Sequence, residues 1–252
     1  MSTRYSHFSL LACSLACGFA LVLAGCAEQE PASNPKPEPA QRKGESKKVE
    51  VGKNVYLEVE GDKRRVLVQA YVCLRKGFLE QLLTRKRTKE HEAILAADID
   101  AADLHKALLL TGAEPGKPVQ FVPKFMPPSG APIKISLEYE DKGKKTRRPA
   151  SEWVRNRKTQ KDLEHDWVFA GSRLFPDPED NTKKPFYGAN DGDVICVSNF
   201  DTALLDLPVD SSKDNDDLSY EANTERIPEL ETPVLIILEP VLSKPAPPKK
   251  SK

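Results

Sequence analysis

The feature that most constrains folding is a polar, proline-rich segment, residues 28–48, which contains no large apolar side chain. Such a segment cannot bury enough apolar surface to offset the entropy lost on ordering, and its prolines favour an extended chain. The last ten residues, 243–252, have the same character. We therefore expect a disordered linker and a disordered basic tail on either side of one folded region, residues 49–242.

The composition fits a globular domain and argues against one class of partner. Hydrophobic residues make up 39% of the chain and charged residues 30%, which leaves enough apolar material for a core. The region 49–242 holds 28 basic and 34 acidic side chains, so it is mildly acidic. Nucleic-acid binding needs a concentrated basic face. We therefore expect no nucleic-acid partner.

The N-terminus has the pattern of an export signal. Arg4 precedes an uncharged, mostly apolar stretch over 8–25, which is the order of a secretory signal peptide. The stretch ends in the sequence LAGC at 23–26, which resembles the lipobox of bacterial lipoproteins. The resemblance implies that residues 1–25 are removed and that Cys26 carries the lipid, followed by the linker over 26–48.

An uncleaved membrane anchor is the alternative interpretation of the same stretch. The residues that follow it, AEQE at 27–30, are acidic rather than basic and make a poor stop-transfer signal. Ala27 stands where retention at the inner membrane would require Asp, so resemblance to Gram-negative sorting rules implies the outer membrane. We expect a cell-envelope protein with its domain outside the cytoplasm.

Strand and helix signals alternate irregularly in the folded region. They predict a hairpin over 55–74, a short helix over 78–83, a short strand at 94–95, a helix over 101–110, and a strand over 133–139 that turns at 142–143. Asp100 is placed to cap the second helix, and Gly112 ends it. Two apolar runs, 194–197 and 234–238, look like strands buried on both faces. We predict one α+β domain of hairpin-connected strands with a few short helices, in which both halves of the chain share a core.

Three long motifs carry a resemblance to a known family. They run over 56–100 (from YLEVEGDKRR to AADID), 164–174 (EHDWVFAGSRL) and 190–228 (from NDGDVICVSNF to NTERIP). Together they resemble the YdjY-domain family of exported bacterial proteins. The resemblance implies no activity for particular residues. Some relatives are associated with iron–sulfur segments, but a four-iron cluster needs four thiolates, and only Cys73 and Cys196 follow the lipid-bearing Cys26.

Cys73 and Cys196 are the only cysteines of the folded region. Outside the cytoplasm two cysteines commonly pair, and a bridge that closes a loop of this length adds about 4 kcal/mol to stability. The alternative is that Cys196, within the apolar run VICV, is a small buried hydrophobe and that Cys73 is unpaired. The Cys-x-x-Cys spacing of a redox-active pair is absent.

Calcium is the one cofactor that the sequence suggests. If Asp210 is position one of a calcium loop, four more oxygen-bearing residues fall at positions three, five, seven and twelve: Ser212, Asp214, Asp216 and Glu221. Position six of such loops is normally glycine, and here it is Asn215. A solvated acidic loop is the alternative interpretation.

Histidines and aromatic residues give two weaker hypotheses. His91 and His165 each adjoin a carboxylate, but neither they nor His105 has the spacing of a zinc site. The second is an aromatic–basic groove for an anionic glycan or peptide, which would combine Trp153, Trp167 and Phe169 with Arg155, Arg157 and Arg173. The alternative interpretation is that these aromatic residues belong to the core and that the arginines are solvated.

The hypothesis that best fits these observations is a non-enzymatic, lipid-anchored envelope protein whose domain binds a protein, a glycan or an ion. It rests on the anchor, the linker and the lack of catalytic motifs. An envelope enzyme that uses His91 or His165 with a carboxylate is one alternative. A calcium-stabilised domain is the other.

Overall fold

Eight strands of this chain close into a barrel, with one α-helix across one end. The computed structural model describes residues 46–180, 182–211 and 218–242. Strands make up 42% of the structure and helices 9%, so the predicted α+β class is wrong. The sixteen strands are β1 (Lys47–Gly52), β2 (Val55–Glu60), β3 (Lys63–Val72), β4 (Phe78–Leu79), β5 (Gln81–Arg85), β6 (Ala93–Ala97), β7 (Pro132–Asp141), β8 (Lys144–Pro149), β9 (Val154–Asn156), β10 (Trp167–Phe169), β11 (Leu174–Phe175), β12 (Phe186–Tyr187), β13 (Ile195–Cys196), β14 (Leu205–Asp206), β15 (Tyr220–Ala222) and β16 (Pro233–Pro240).

The barrel closes through hydrogen-bonded pairs in the order β3, β16, β7, β10, β14, β13, β5, β6 and back to β3. The closing pair joins Tyr71 and Val72 of β3 to Ala96 and Leu95 of β6. Strands β1 and β2 extend the sheet from β3, and β8 pairs with β7. Two small sheets, β4-β15-β9 and β11-β12, lie outside this ring.

Strand β16 brings the C-terminal part of the chain into the centre of the main sheet. It pairs with β3 on one side and β7 on the other, with Ile236 opposite both Val68 and Leu137. All three side chains are fully buried. The prediction that both halves of the chain share one core is therefore confirmed.

Both predicted hairpins are present. The first is formed by β2 and β3, and the second by β7 and β8 around the turn at 142–143. The short helix predicted over 78–83 is wrong, because these residues form β4 and the start of β5. Leu83 of β5 lies between Leu95 and Ile195 of its two neighbours. A run of buried apolar residues fits a strand and a helix equally well, and here pairing on both sides decides for the strand.

The helix α1 (Ala101–Leu110) has the predicted bounds. Its first turn is capped by Asp100, whose Oδ1 accepts hydrogen bonds from the Ala102 backbone N–H at 2.9 Å and from Asn190 Nδ2 at 3.0 Å. Two short 3₁₀ helices, Ala150–Trp153 and Gly188–Asp191, complete the helical structure among the described residues.

The helix lies across one end of the barrel, which we call the helix end. Its buried side chains join the main core, and it contacts β1, β2 and β3. On the other side the His105 ring packs edge-on against Phe169 of β10, with ring centroids 4.9 Å apart. From the strand pairing, β3 and β7 begin at the helix end, whereas β10 and β16 finish there.

Candidate binding surface

A two-stranded ribbon, residues 113–131, leaves the helix end after α1; we call it the arm. Gln120 and Met126 exchange two backbone hydrogen bonds of 3.0 and 2.8 Å, and Lys117 and Ser129 exchange two more. At the base of the arm the Gly116 N–H donates to the Phe169 carbonyl at 2.9 Å. A Cβ on Gly116 would lie 2.1 Å from the Ser129 carbonyl oxygen, so only glycine allows the two strands to approach this closely.

A second projection, the β11–β12 hairpin, follows β10 at the same end. Leu174 pairs with Tyr187, and Phe175 with Phe186. The Gly188 N–H donates to the Arg173 carbonyl and closes the base of the hairpin. Ser172 fixes this base to the loop before β14, because its hydroxyl donates to the Thr202 carbonyl at 2.6 Å and its N–H to the Ala203 carbonyl at 3.0 Å.

Exposed apolar side chains are concentrated on the elements of the helix end. Thirteen large apolar side chains are exposed among the described residues, and ten of them lie on the arm, the β11–β12 hairpin, the last turn of α1 or the chain after β16. These ten are Leu109, Leu110, Phe121, Val122, Met126, Leu174, Phe175, Phe186, Val241 and Leu242. Scattered exposed hydrophobics are normal on a protein surface, but a concentration at one end is typical of an interaction surface.

A groove of about 540 Å³ separates the arm from the loops beside it. Residues 117–122 of the arm form one wall, and Arg173 and Asp201 form the other. Arg173 and Asp201 make an ion pair of 2.5 Å, and the Arg173 guanidinium also lies over the Phe175 ring. The groove thus combines a mostly apolar wall on the arm with a charged wall formed by the Arg173–Asp201 pair, and protein-binding grooves commonly combine such surfaces.

A buried polar cluster occupies the barrel wall at β5 and β13. Asp193 accepts hydrogen bonds from Lys89 at 2.8 Å, from Gln81 at 3.2 Å and from the Thr202 hydroxyl at 2.5 Å. Glu80 lies beside it, and burial, together with the neighbouring Glu92, raises the pKa of Glu80 to about 7. Because its groups bond one another, we interpret the cluster as part of the wall.

The Asp206 carboxyl is buried on the neighbouring strand β14. It accepts hydrogen bonds from Asn199 Nδ2 at 3.1 Å, from the Leu207 N–H at 2.8 Å and from the Phe200 N–H at 3.4 Å. These bonds favour the ionised carboxylate, but burial outweighs them and raises the pKa of Asp206 to about 8.

The structure does not bring the candidate histidines together. His91 lies on an exposed loop with its Nε2 3.7 Å from Glu92 Oε2, and His165 is exposed elsewhere. His105 is partly buried and bonded through Nδ1 to the Tyr187 hydroxyl at 2.7 Å, and burial lowers its pKa. A histidine–carboxylate enzyme stays an untested prediction.

Cys73 and Cys196 are free thiols in the structure, which does not form the predicted disulfide. Strands β6 and β5 lie between β3, which ends beside Cys73, and β13, which contains Cys196. Three strand spacings amount to about 14 Å along the wall, whereas the Cα atoms of a disulfide lie within about 7 Å. Burial raises the pKa of Cys73 to about 12 and that of Cys196 well above its usual value, so both thiols stay protonated at neutral pH.

The remaining candidates are only partly described. Cys26, Ser212, Asp214 and Asp216 lie outside the described residues. Asp210 is exposed, and the Glu221 carboxylate is bound by Arg155 at 2.9 Å. The part of the chain that the structure describes contains no group of three His, Cys, Asp or Glu side chains arranged to hold a metal ion. Calcium binding stays a prediction.

The aromatic–basic groove predicted from the sequence is not formed. Trp153, Trp167 and Phe169 are buried in the core, as the alternative interpretation held. The Trp167 indole N–H, for example, donates to the Cys196 carbonyl at 2.7 Å. Arg155 is paired with Glu221, while Arg157 lies over the Phe78 ring.

The arm and the β11–β12 hairpin were not predicted from the sequence. The available signal was the stretch FVPKFMPP at 121–128, in which apolar residues stand between prolines without helix or strand periodicity. Apolar residues that no regular element buries are candidates for a contact surface.

Comparison with known proteins confirms the resemblance noted in the sequence. The YdjY domain family matches residues 57–239, and the chain therefore belongs to this family. No curated protein and no solved structure matches the chain. Among the described residues, no helix has the length and apolarity needed to cross a membrane.

Proposed function

We propose that this chain is a lipid-anchored envelope protein whose YdjY domain is a binding module, with the groove between the arm and Arg173 as its binding site for a segment of a protein partner. Cys26 would carry the lipid, as the lipobox resemblance implies. The domain would then act outside the cytoplasm, at the surface of the membrane.

The exposure of the arm carries this proposal. Val122, at the tip of the arm, is 82% exposed, and Met126 is exposed on the returning strand. A surface of this kind costs solubility unless a partner covers it for part of the time. The Arg173–Asp201 pair beside the groove supplies a cation and an anion that can select the partner by charge.

Photocrosslinking in intact cells tests the proposal. A photoreactive amino acid replaces Val122 in the full chain, and a matched chain carries it at Leu230, which is 55% exposed beyond the opposite end of β3. We expect a discrete crosslinked protein from position 122 and none from position 230.

A groove variant shows whether this adduct depends on the proposed site. Arg173→Ala is expected to reduce it about tenfold, since arginines at the centre of an interface commonly contribute more than 1 kcal/mol. Arg75→Ala is the matched control, because Arg75 forms a similar surface pair with Glu229 at 2.6 Å. Equal adducts from both positions, or an equal effect of both arginine variants, would contradict the proposal.

A further inference from the structure

A second surface at the helix end fits a lipid bilayer. We infer that the domain rests on the membrane through a patch formed by Leu109, Leu110, Val241 and Leu242, which we call the seating patch. The inference rests on the proposed function, because the lipid anchor at Cys26 is what brings the domain to the bilayer. It concerns a surface separate from the groove, and the occupant is the headgroup and upper acyl region of the membrane.

The four side chains come from two elements that meet beside the helix. Leu109 and Leu110 are the last residues of α1, and both are exposed. Val241 is held at the start of β7, because its N–H donates to the Pro132 carbonyl at 2.8 Å. A Cβ on Gly112 would lie 3.6 Å from Leu242 Cδ1, so Leu242 packs against the turn that follows α1.

Both ends of the described domain leave beside this patch. Lys47, at the start of β1, pairs with Val59, and Val59 pairs with Arg64. The N-terminal linker therefore departs about two strand spacings, roughly 10 Å, from the Arg64 backbone. The Arg64 side chain reaches on to the patch, where its guanidinium donates to the Leu110 carbonyl at 3.2 Å. Leu242 belongs to the patch and is followed directly by the C-terminal tail.

The length of the linker keeps this end close to the membrane. Nineteen residues lie between Cys26 and Ser46, and the twenty steps from one residue to the next span at most about 70 Å. Because the linker holds the domain within this distance of the membrane, the patch meets lipid at a high effective concentration. A weak contact is then enough to seat the domain.

Charge around the patch fits an anionic lipid surface. Lys63, Arg64 and Lys106 are exposed there and form no ion pair among the described residues. Of the nearby carboxylates, Glu239 is bound by Arg147 at 2.8 Å and Glu60 lies 3.6 Å from Arg65. Asp62 and Glu114 remain against the three cations. The following tail, 243–252, adds four lysines. Apolar side chains flanked by cations are the pattern of surfaces that bind at the membrane interface.

A second copy of this chain fits the patch less well. Stable protein interfaces bury more than about 1,000 Å² in total. Four side chains, each only about half exposed, supply a small fraction of that area. The small area of the patch is nevertheless sufficient when the proposed lipid anchor already holds the domain at the bilayer.

Quenching by brominated lipid tests the seating directly. Leu110→Trp and Leu230→Trp variants of the full lipidated chain are reconstituted into phosphatidylethanolamine–phosphatidylglycerol vesicles with brominated acyl chains. The native Trp153 and Trp167 are buried and give both variants the same background. We expect the added fluorescence of Leu110→Trp to be quenched at least twofold more than that of Leu230→Trp.

The same vesicles separate failure of the seating from failure of the anchor. If mass spectrometry of the protein purified from cells shows no lipid on Cys26, only the proposed anchor is overturned. The Cys26→Ser form of each tryptophan variant is then added to excess vesicles, and preferential quenching of Leu110→Trp would still support the seating. Equal quenching of both variants in the lipidated chain, or none in either form, would overturn it.

Discussion

At the scale of single residues, the buried carboxyl groups connect the stability of the barrel wall to pH. Asp206 is enclosed by β14 and the loop before it, where three donors face its oxygens. Burial nevertheless raises its pKa to about 8, far above the value of about 4 that an aspartate has in an unfolded chain. Between about pH 4 and 8, the folded protein therefore holds a proton on Asp206 that the unfolded chain releases.

We expect the free energy of unfolding to fall as the pH rises from about 4 to 8. A single group of this kind contributes a slope of up to about 1.4 kcal/mol per pH unit, because the folded state binds one more proton. The stabilisation is complete below the unfolded pKa and is lost as the pH passes the folded pKa. Asp206→Asn cannot titrate and should flatten the dependence, which urea unfolding between pH 5 and 8 measures.

Asp166→Asn, at an exposed position, is the control and should retain the slope of the natural protein. Glu80 is present in all three proteins, so the difference between them isolates Asp206. Parallel curves for the natural protein and Asp206→Asn would show that the Asp206 carboxyl is ionised in the folded state.

Sequence alone could not assign the roles of several residues. Cys73 and Cys196 were compatible with a disulfide, but the order of strands around the barrel sets their separation. Trp153 and Trp167 next to arginines allowed a groove, but burial decides for the core. Both questions depend on contacts between distant segments, which a single sequence does not display.

At the scale of elements, α1 was predictable because every signal was local. Asp100, the apolar stripe and Gly112 agree on the same bounds, and the structure confirms them. The segment 78–83 failed because Leu79, Leu82 and Leu83 are buried on all sides, so their spacing shows no preferred face. Pairing with strands elsewhere in the chain fixes the segment as strand, because β4 pairs with β15, and β5 pairs with β6 and β13.

Two leucines of α1 distinguish its core face from its exposed face. Leu104 is fully buried, whereas Leu109 is 47% exposed in the last turn. Leu104→Ala should lower the free energy of unfolding by about 2–5 kcal/mol, because it leaves a cavity beneath the helix. Leu109→Ala should change it by less than about 0.5 kcal/mol. Urea unfolding of both variants measures the difference, and similar losses would contradict the packing of α1 across the barrel end.

At the scale of the whole molecule, the fold class could not be derived from the sequence. The closed ring uses two-residue strands such as β13 and β14, which have too few residues to display an alternating pattern. Its closure depends on pairs far apart in sequence, such as Val72 with Leu95 and Leu238 with Val66. The longer strands, β3, β7 and β16, were recognisable because they alternate or form apolar runs.

The barrel has two different ends, and the surfaces proposed for interaction lie at one of them. The helix end carries the arm, the β11–β12 hairpin, the seating patch and both departures of the chain. The opposite end carries the β4-β15-β9 sheet. Two exposed large apolar side chains lie there, Phe78 and Leu230, and the Arg157 guanidinium lies over the Phe78 ring.

Hydrogen exchange of the full chain in the membrane fraction of cells, compared with the same chain in detergent, tests this assignment most directly. We predict slower exchange in the membrane over the end of α1, the arm and the β11–β12 hairpin, with unchanged exchange over β4, β9 and β15. Slower exchange confined to β4, β9 and β15, or no difference anywhere, would contradict the assignment of binding to the helix end.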